Sequence, residues 1–225
     1  MENAGKRCLA ELIGTFTLVF VGAGSICMGV LDDTLGTMGV AVAHGLALSV
    51  MISALGGISG GHFNPAVTFG VLVTGRIPVS LAGLYAASQL AGAAIAGFLL
   101  KLIFADVWTD VALGTPLVNF DAGVTTGTAI LVEAILTFLL VTVVFGTAVD
   151  PRRPSVGGFA IGLTVAADIL VGGALTGASM NPARTFGPAL AANIWEAHHV
   201  YWIGPLLGGA LAGLLYHHLL MEKGR

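Results

Sequence analysis

Two copies of Asn-Pro-Ala, Asn64-Pro65-Ala66 and Asn181-Pro182-Ala183, are polar groups in this 225-residue sequence whose types and spacing imply a task. Asparagine caps a helix and proline fits its first position, so each triplet reads as a helix start. Each sits inside a long run almost without charge, where an amide and a free helix N-terminus offer hydrogen-bond donors and a positive dipole end rather than a reactive group. The ionisable side chains inside apolar runs are Glu11, Glu133, Asp168 and Arg184, and the histidines His44 and His62 lie in the same runs. No nucleophile–base pair and no His/Cys/Asp spacing suited to a metal occurs, so neither an enzyme nor a cofactor or metal is expected. Cys8 and Cys27 fall on one apolar helix, roughly 28 Å apart at 1.5 Å per residue, too far to join within the chain.

The elements that must position these groups follow from the composition. Charged residues make up 9% of the chain, against about 25% in soluble domains, while apolar residues make up 56% and mean hydropathy is +0.94. Neither a soluble domain nor a disordered chain has this balance, and a net charge of −3 offers no field for nucleic acid. The chain reads as an all-α integral membrane protein. Apolar stretches at 12–31, 34–75, 77–100, 122–149, 154–183 and 197–221 supply six full spans of about 20 residues, with length left over in the second and fifth. Lys6, Arg7, Arg76, Arg152, Arg153, Lys223 and Arg225 then share one side, which places both termini in the cytoplasm of a multi-pass protein of the cell membrane.

The two halves resemble each other. The stretch from Ser59 to Gly70 recurs 117 residues later from Thr176 to Gly187, and Gly45-Leu46 recurs at the same offset as Gly162-Leu163. Glu11 with Thr15-Phe16 matches Glu133 with Thr137-Phe138. One domain over residues 1–225 is expected, with repeat one at about 6–105 and repeat two at about 122–222. Three spans per half is an odd number, so the second half enters the membrane upside down, and the site is expected at the midplane between the halves. Only about ten apolar residues follow each Asn-Pro-Ala, half a bilayer. The expected architecture is six transmembrane helices plus two half-helices whose N-termini meet at the centre.

Two Asn-Pro-Ala boxes in three-plus-three inverted halves, within Ser-Gly-Gly-His-Phe-Asn-Pro-Ala-Val-Thr and Asn-Pro-Ala-Arg-Thr-Phe-Gly-Pro, resemble the aquaporin, or major intrinsic protein, family over essentially the whole chain. The resemblance implies a right-handed bundle, one pore per subunit and a homotetramer in the lipid bilayer. It implies single-file water, with Asn64 and Asn181 donating to a central water and the converging dipoles interrupting proton and cation passage. By motif matching the selectivity filter is His44, Ile169, Ala178 and Arg184, a set similar to that of plant tonoplast intrinsic proteins. Small neutral solutes such as ammonia, hydrogen peroxide or urea are therefore expected beside water. Glu11 and Glu133 are expected to accept backbone N–H groups of the pore loops, with His62 bracing the first loop. Asp168 departs from the family pattern, either bracing a neighbouring element or orienting His44 or Arg184. Glycerol facilitators carry Asp and a positive residue where Thr185 and Ala189 stand here, which makes glycerol the second choice. An ion-coupled secondary transporter with inverted repeats would need a carboxylate cluster that the sequence lacks.

Overall fold

Each uncharged run becomes helix until glycine or an Asn-Pro start interrupts it. The computed structural model describes residues 4–222, and no strand occurs among them. Eight α-helices follow in order: α1 Ala4–Leu31, α2 Gly36–Ser59, α3 Pro65–Val73, α4 Val79–Ile103, α5 Thr126–Val144, α6 Gly157–Thr176, α7 Pro182–Ala192 and α8 Val200–Leu215. All but α3 and α7 are long and apolar enough to span a membrane, with α5 and α8 prolonged by the π turns Phe145–Val149 and Tyr216–Leu220. The expected second and fifth stretches divide as their extra length required, into α2 plus α3 and α6 plus α7.

The divisions are made identically in both halves. α2 ends on Gly60 at φ 97° and α6 on Gly177 at φ 80°, and each glycine N–H closes the last turn on Gly56 and Gly173. That left-handed cap costs a residue with a Cβ about 1 kcal/mol or more and is free for glycine. A short loop follows, then an extended Asn with Pro at the first helical position. α3 has 9 residues and α7 has 11, so each reaches roughly half of a 30 Å hydrocarbon layer.

Packing keeps the same symmetry. α1 lies on α4 and α5 on α8, α2 crosses α6 at the centre, and each half-helix rests on the last helix of the other half, α3 on α8 and α7 on α4. These crossings are close because small residues face backbone. A Cβ on Gly45 would strike the Gly162 carbonyl, and one on Gly97 the Gly187 carbonyl. On α8 the two Gly-xxx-Gly pairs serve different partners, Gly204 and Gly208 meeting α5 while Gly209 and Gly213 meet α3. The loop from α4 to α5 carries two short 3₁₀ turns, Trp108–Gly114 and Phe120–Ala122, that were not read from the sequence. Lys101, near the end of α4, donates to the Ala191 carbonyl at 2.7 Å and lies over Trp108.

At the other end, Asp150 fastens the connection after α5. It accepts from the Arg152 backbone N–H at 2.8 Å, from the Arg152 guanidinium at 2.7 and 3.1 Å, and from the Tyr216 hydroxyl at 3.2 Å. The Arg152 guanidinium holds its carboxyl well below the usual carboxylate range. A depressed folded value contributes stability above the unfolded value, about 3.9, and that contribution fades as pH falls below it. Asp150→Asn is expected to melt below the wild type at pH 7, with the gap closing only under about pH 4. Melting curves of the pair from pH 7 to pH 3 check this; a constant gap would place the effect elsewhere.

Candidate functional site

The site begins with the two Asn caps. Asn64 Oδ1 accepts from the Ala66 N–H at 2.8 Å, and Asn181 Oδ1 accepts from Ala183 at 3.0 Å and Arg184 at 3.2 Å. With the oxygens committed to their own helices, the amide nitrogens point across the repeat. Asn64 Nδ2 donates to the Met180 carbonyl at 2.8 Å and Asn181 Nδ2 to the Phe63 carbonyl at 2.9 Å. Each side chain thus ties the two half-helices together, a role the sequence did not reveal. An amide nitrogen carries two hydrogens, so one on each Asn remains for the cavity that both residues line.

The loops that present them are strained and held by carboxylates. Phe63 and Met180, directly before each Asn, lie at φ 48° and 54°, a region costing a residue with a side chain on the order of 1–3 kcal/mol. Glu11 accepts from the Phe63 N–H at 2.6 Å, the His62 N–H at 3.0 Å, the Ser59 hydroxyl at 2.6 Å and the Gln89 amide at 2.7 Å. Glu133 accepts from the Met180 N–H at 2.7 Å, the Ser179 N–H at 2.9 Å and the Thr176 hydroxyl at 2.7 Å. Hydrogen bonds to a charged acceptor contribute about 1.5–3 kcal/mol each, enough to offset the backbone strain. Tyr85 and Tyr201, missed as support residues, donate to the Ser59 and Thr176 carbonyls at 2.6 and 2.7 Å. Their shared offset of 116, that of Gln89 and Pro205, was the available signal. His62 faces Thr68 at 3.0 Å and also lines the cavity.

Arg184 follows the second box on α7. One guanidinium nitrogen donates to the Gly114 carbonyl at 2.7 Å, which is how the unforeseen 108–114 turn enters the site. Another lies 3.3 Å from His44 Nε2. His44 Nδ1 is 2.8 Å from the Val40 carbonyl, which can only accept, so the ring proton sits on Nδ1 and the Nε2 lone pair faces Arg184. A Cβ on Gly22 of α1 would overlap the His44 ring, so that glycine makes room for it. Arg184 has no carboxylate within ion-pair distance among the described residues. Its charge is held by carbonyl and imidazole acceptors rather than by a paired carboxylate.

The structure brings His44, Ala178, Arg184, Asn64 and Asn181 onto one narrow cavity whose other wall is apolar and includes Leu18, Leu48, Val67, Ile161 and Val165. Ile169 is buried on α6 in the same core cluster as Ala178 but is not among the residues lining that cavity. Asp168, beside it, is 4% exposed, its Oδ2 has no partner, and it bonds neither His44 nor Arg184. An unmatched buried acceptor costs about 1–3 kcal/mol. Asp168→Asn removes the ionisable group at the same shape and is expected to raise the melting temperature by a few degrees with water and urea fluxes unchanged. Altered urea-to-water selectivity would show that Asp168 orients the filter after all.

Comparison with known proteins covers nearly the whole chain. The family model described as Major intrinsic protein matches residues 2–216. Aquaporin TIP4-4 of Zea mays is 49% identical, over 97% of this chain and 88% of its own length. Probable aquaporin TIP3-2 of Arabidopsis thaliana is 47% identical, over 97% and 85%. In backbone, the chain superposes on the X-ray structure of the aquaglyceroporin from Plasmodium falciparum with a TM-score of 0.81, over 96% of this chain and 97% of that one, at 19% identity.

Proposed function

This chain belongs to the major intrinsic protein family, and from that premise we propose that it is a passive channel passing water in single file while excluding protons and ions. The observation that carries the reading is the pair of cross-tied Asn side chains on one cavity with an Arg184 that no carboxylate pairs among the described residues. Each remaining Asn amide hydrogen donates to a water at the centre, and the N-terminal ends of α3 and α7 turn its neighbours outward on both sides. Water oriented in opposite senses cannot relay a proton through the middle. The apolar wall offers few competing bonds, so a file of water moves past it. Arg184 raises the energy of any cation and gives neutral solutes donors to exchange for lost hydration.

In this proposal His44, Ala178 and Arg184 form the filter on the cavity, with Ile169 in the same core cluster as Ala178 completing it from off the cavity wall, Glu11, Glu133 and His62 hold the loops, and the chain works as one domain of two inverted repeats. The small Ala178 and the absence of a second aromatic leave room for ammonia, hydrogen peroxide or urea beside water. Assembly is as a homotetramer with both termini cytoplasmic. The relatives of TIP type favour the tonoplast over the cell membrane that was first expected. Stopped-flow light scattering of proteoliposomes tests the reading: water permeability well above that of empty vesicles, with no proton leak, is expected. Permeability equal to empty vesicles would end it, and glycerol flux exceeding that of urea and ammonia would move the chain to the glycerol facilitators.

A further inference from the structure

Helix α1 supplies none of the four filter residues, and at one point it is cut back to bare backbone behind them. Leu18 and Gly22 lie one turn apart on the same face of α1. Leu18 lines the cavity, while Gly22, also buried, is not among the lining residues. The His44 ring takes the place that a side chain at position 22 would fill: the three atoms nearest to a Cβ built there are Nε2, Cδ2 and Cε1 of that imidazole, all within overlap. The ring is held by the Val40 carbonyl, 2.8 Å from Nδ1, and by Arg184, 3.3 Å from Nε2. Away from α1 it borders the cavity. Ala23, the next residue of α1, lies against Gly114, whose carbonyl holds Arg184, so α1 backs both polar members of the filter.

Repeat two fills the same position. The offset that carries Glu11 onto Glu133 carries Leu18 and Gly22 onto Leu140 and Val144, and the offset of the Asn-Pro-Ala boxes carries His44 onto Ile161. Leu140, Val144 and Ile161 all line the cavity. Two aliphatic side chains therefore stand where repeat one has an imidazole over a glycine. A scaffold that accepts valine at this turn does not need glycine there for its helix crossings. Gly45 and Gly97 differ in this respect, since a Cβ on either would strike the backbone of a neighbouring helix. The glycine at position 22 is matched to the ring, and in a close-packed interior the bulk at one of the two positions sets the place left for the other.

On the reading of the chain as a water channel, we infer that Gly22 is a specificity-determining residue: by leaving its own place to the His44 ring, it keeps the filter wide enough for urea. A methyl group at position 22 pushes the ring away from α1 and into the lumen, and draws Nε2 from its place beside Arg184. The change is borne by the far end of a side chain rather than by backbone, so the helices keep their crossings. A narrower filter acts most on the solute that fills it, and water, the smallest, loses least.

Stopped-flow light scattering of proteoliposomes reads urea and water permeability on one preparation of the full chain, with melting temperature reporting that each variant is folded. Gly22→Ala is expected to cut urea permeability about fivefold or more and water permeability by less than about twofold. His44→Ala removes the ring and should raise the urea-to-water ratio; in the Gly22→Ala/His44→Ala pair that raised ratio should persist within about twofold, because the added methyl has nothing left to push. An unchanged urea-to-water ratio in Gly22→Ala overturns the inference. So does an equal fall in the ratio when the methyl is added to His44→Ala, which would make Gly22 a packing residue of α1. Wild type that conducts water but no urea also overturns it, whereas wild type without water permeability ends the channel reading itself. Should Gly22→Ala not fold, the double variant, without the ring, is expected to fold; a double variant that fails as well overturns the pairing of Gly22 with His44.

Discussion

Arg184→Val is expected to keep water flux within about twofold of wild type while raising urea permeability severalfold and admitting a proton leak at least tenfold above background. The side chain is buried, lines the cavity and has no carboxylate within ion-pair distance among the described residues, with one nitrogen spent on the Gly114 carbonyl and another beside His44. A unit charge passing 4 Å away meets about 4 kcal/mol of repulsion at an effective dielectric of 20, about a thousandfold in rate if nothing else opposed it. The Asn dipoles and the loss of hydration at the centre remain in the variant, so the leak stops short of that figure. Water depends less on Arg184, because it needs only one neighbour for the bonds it gives up. Urea gains from the width that valine leaves. A pH-sensitive dye inside proteoliposomes, with urea and water shrinkage on the same preparation, separates the three. A variant as proton-tight as wild type would assign exclusion to the Asn pair alone.

The two barriers differed in how far the sequence exposed them. Asn64 and Asn181 were legible as helix starts because capping is a local property: Asn, Pro and a short apolar run lie together in the chain. Their bonds to Met180 and Phe63 were not, since each joins residues more than a hundred positions apart and depends on the half-helices meeting head to head. Arg184 was found as a charge in an apolar run, but its anchor on Gly114 lies in a turn with no periodic pattern. Glu11 and Glu133 stood out because an ionised side chain inside a span must have partners. Tyr85 and Tyr201 did not, since a tyrosine in an apolar helix reads as core until its hydroxyl is seen on a carbonyl. Asp168 is the converse: conspicuous in the sequence, with its Oδ2 buried and unpartnered among the described residues.

The pairing of strain with carboxylates makes Glu133→Gln a damaging change despite its near-identical shape. Its carboxylate accepts from the Met180 and Ser179 N–H groups and the Thr176 hydroxyl, and Met180 is held at positive φ. A glutamine keeps one acceptor oxygen and turns an NH₂ toward backbone N–H donors. The two backbone bonds to a charged acceptor become one to a neutral acceptor and one donor–donor contact, a loss of about 3–5 kcal/mol once the unmatched buried groups are counted. The loop then relaxes away from its left-handed residue, and the carbonyl of Met180, which receives the Asn64 amide, moves with it. Damage therefore crosses from repeat two to the box of repeat one. Glu133→Gln should lower the melting temperature by roughly 10 °C and cut water permeability per folded channel at least tenfold, with Glu11→Gln behaving alike. Glu133→Asp keeps the charge but shortens the reach, and is expected to fall between. Full activity in the folded Glu133→Gln protein would mean that the loop holds its strained shape without the carboxylate.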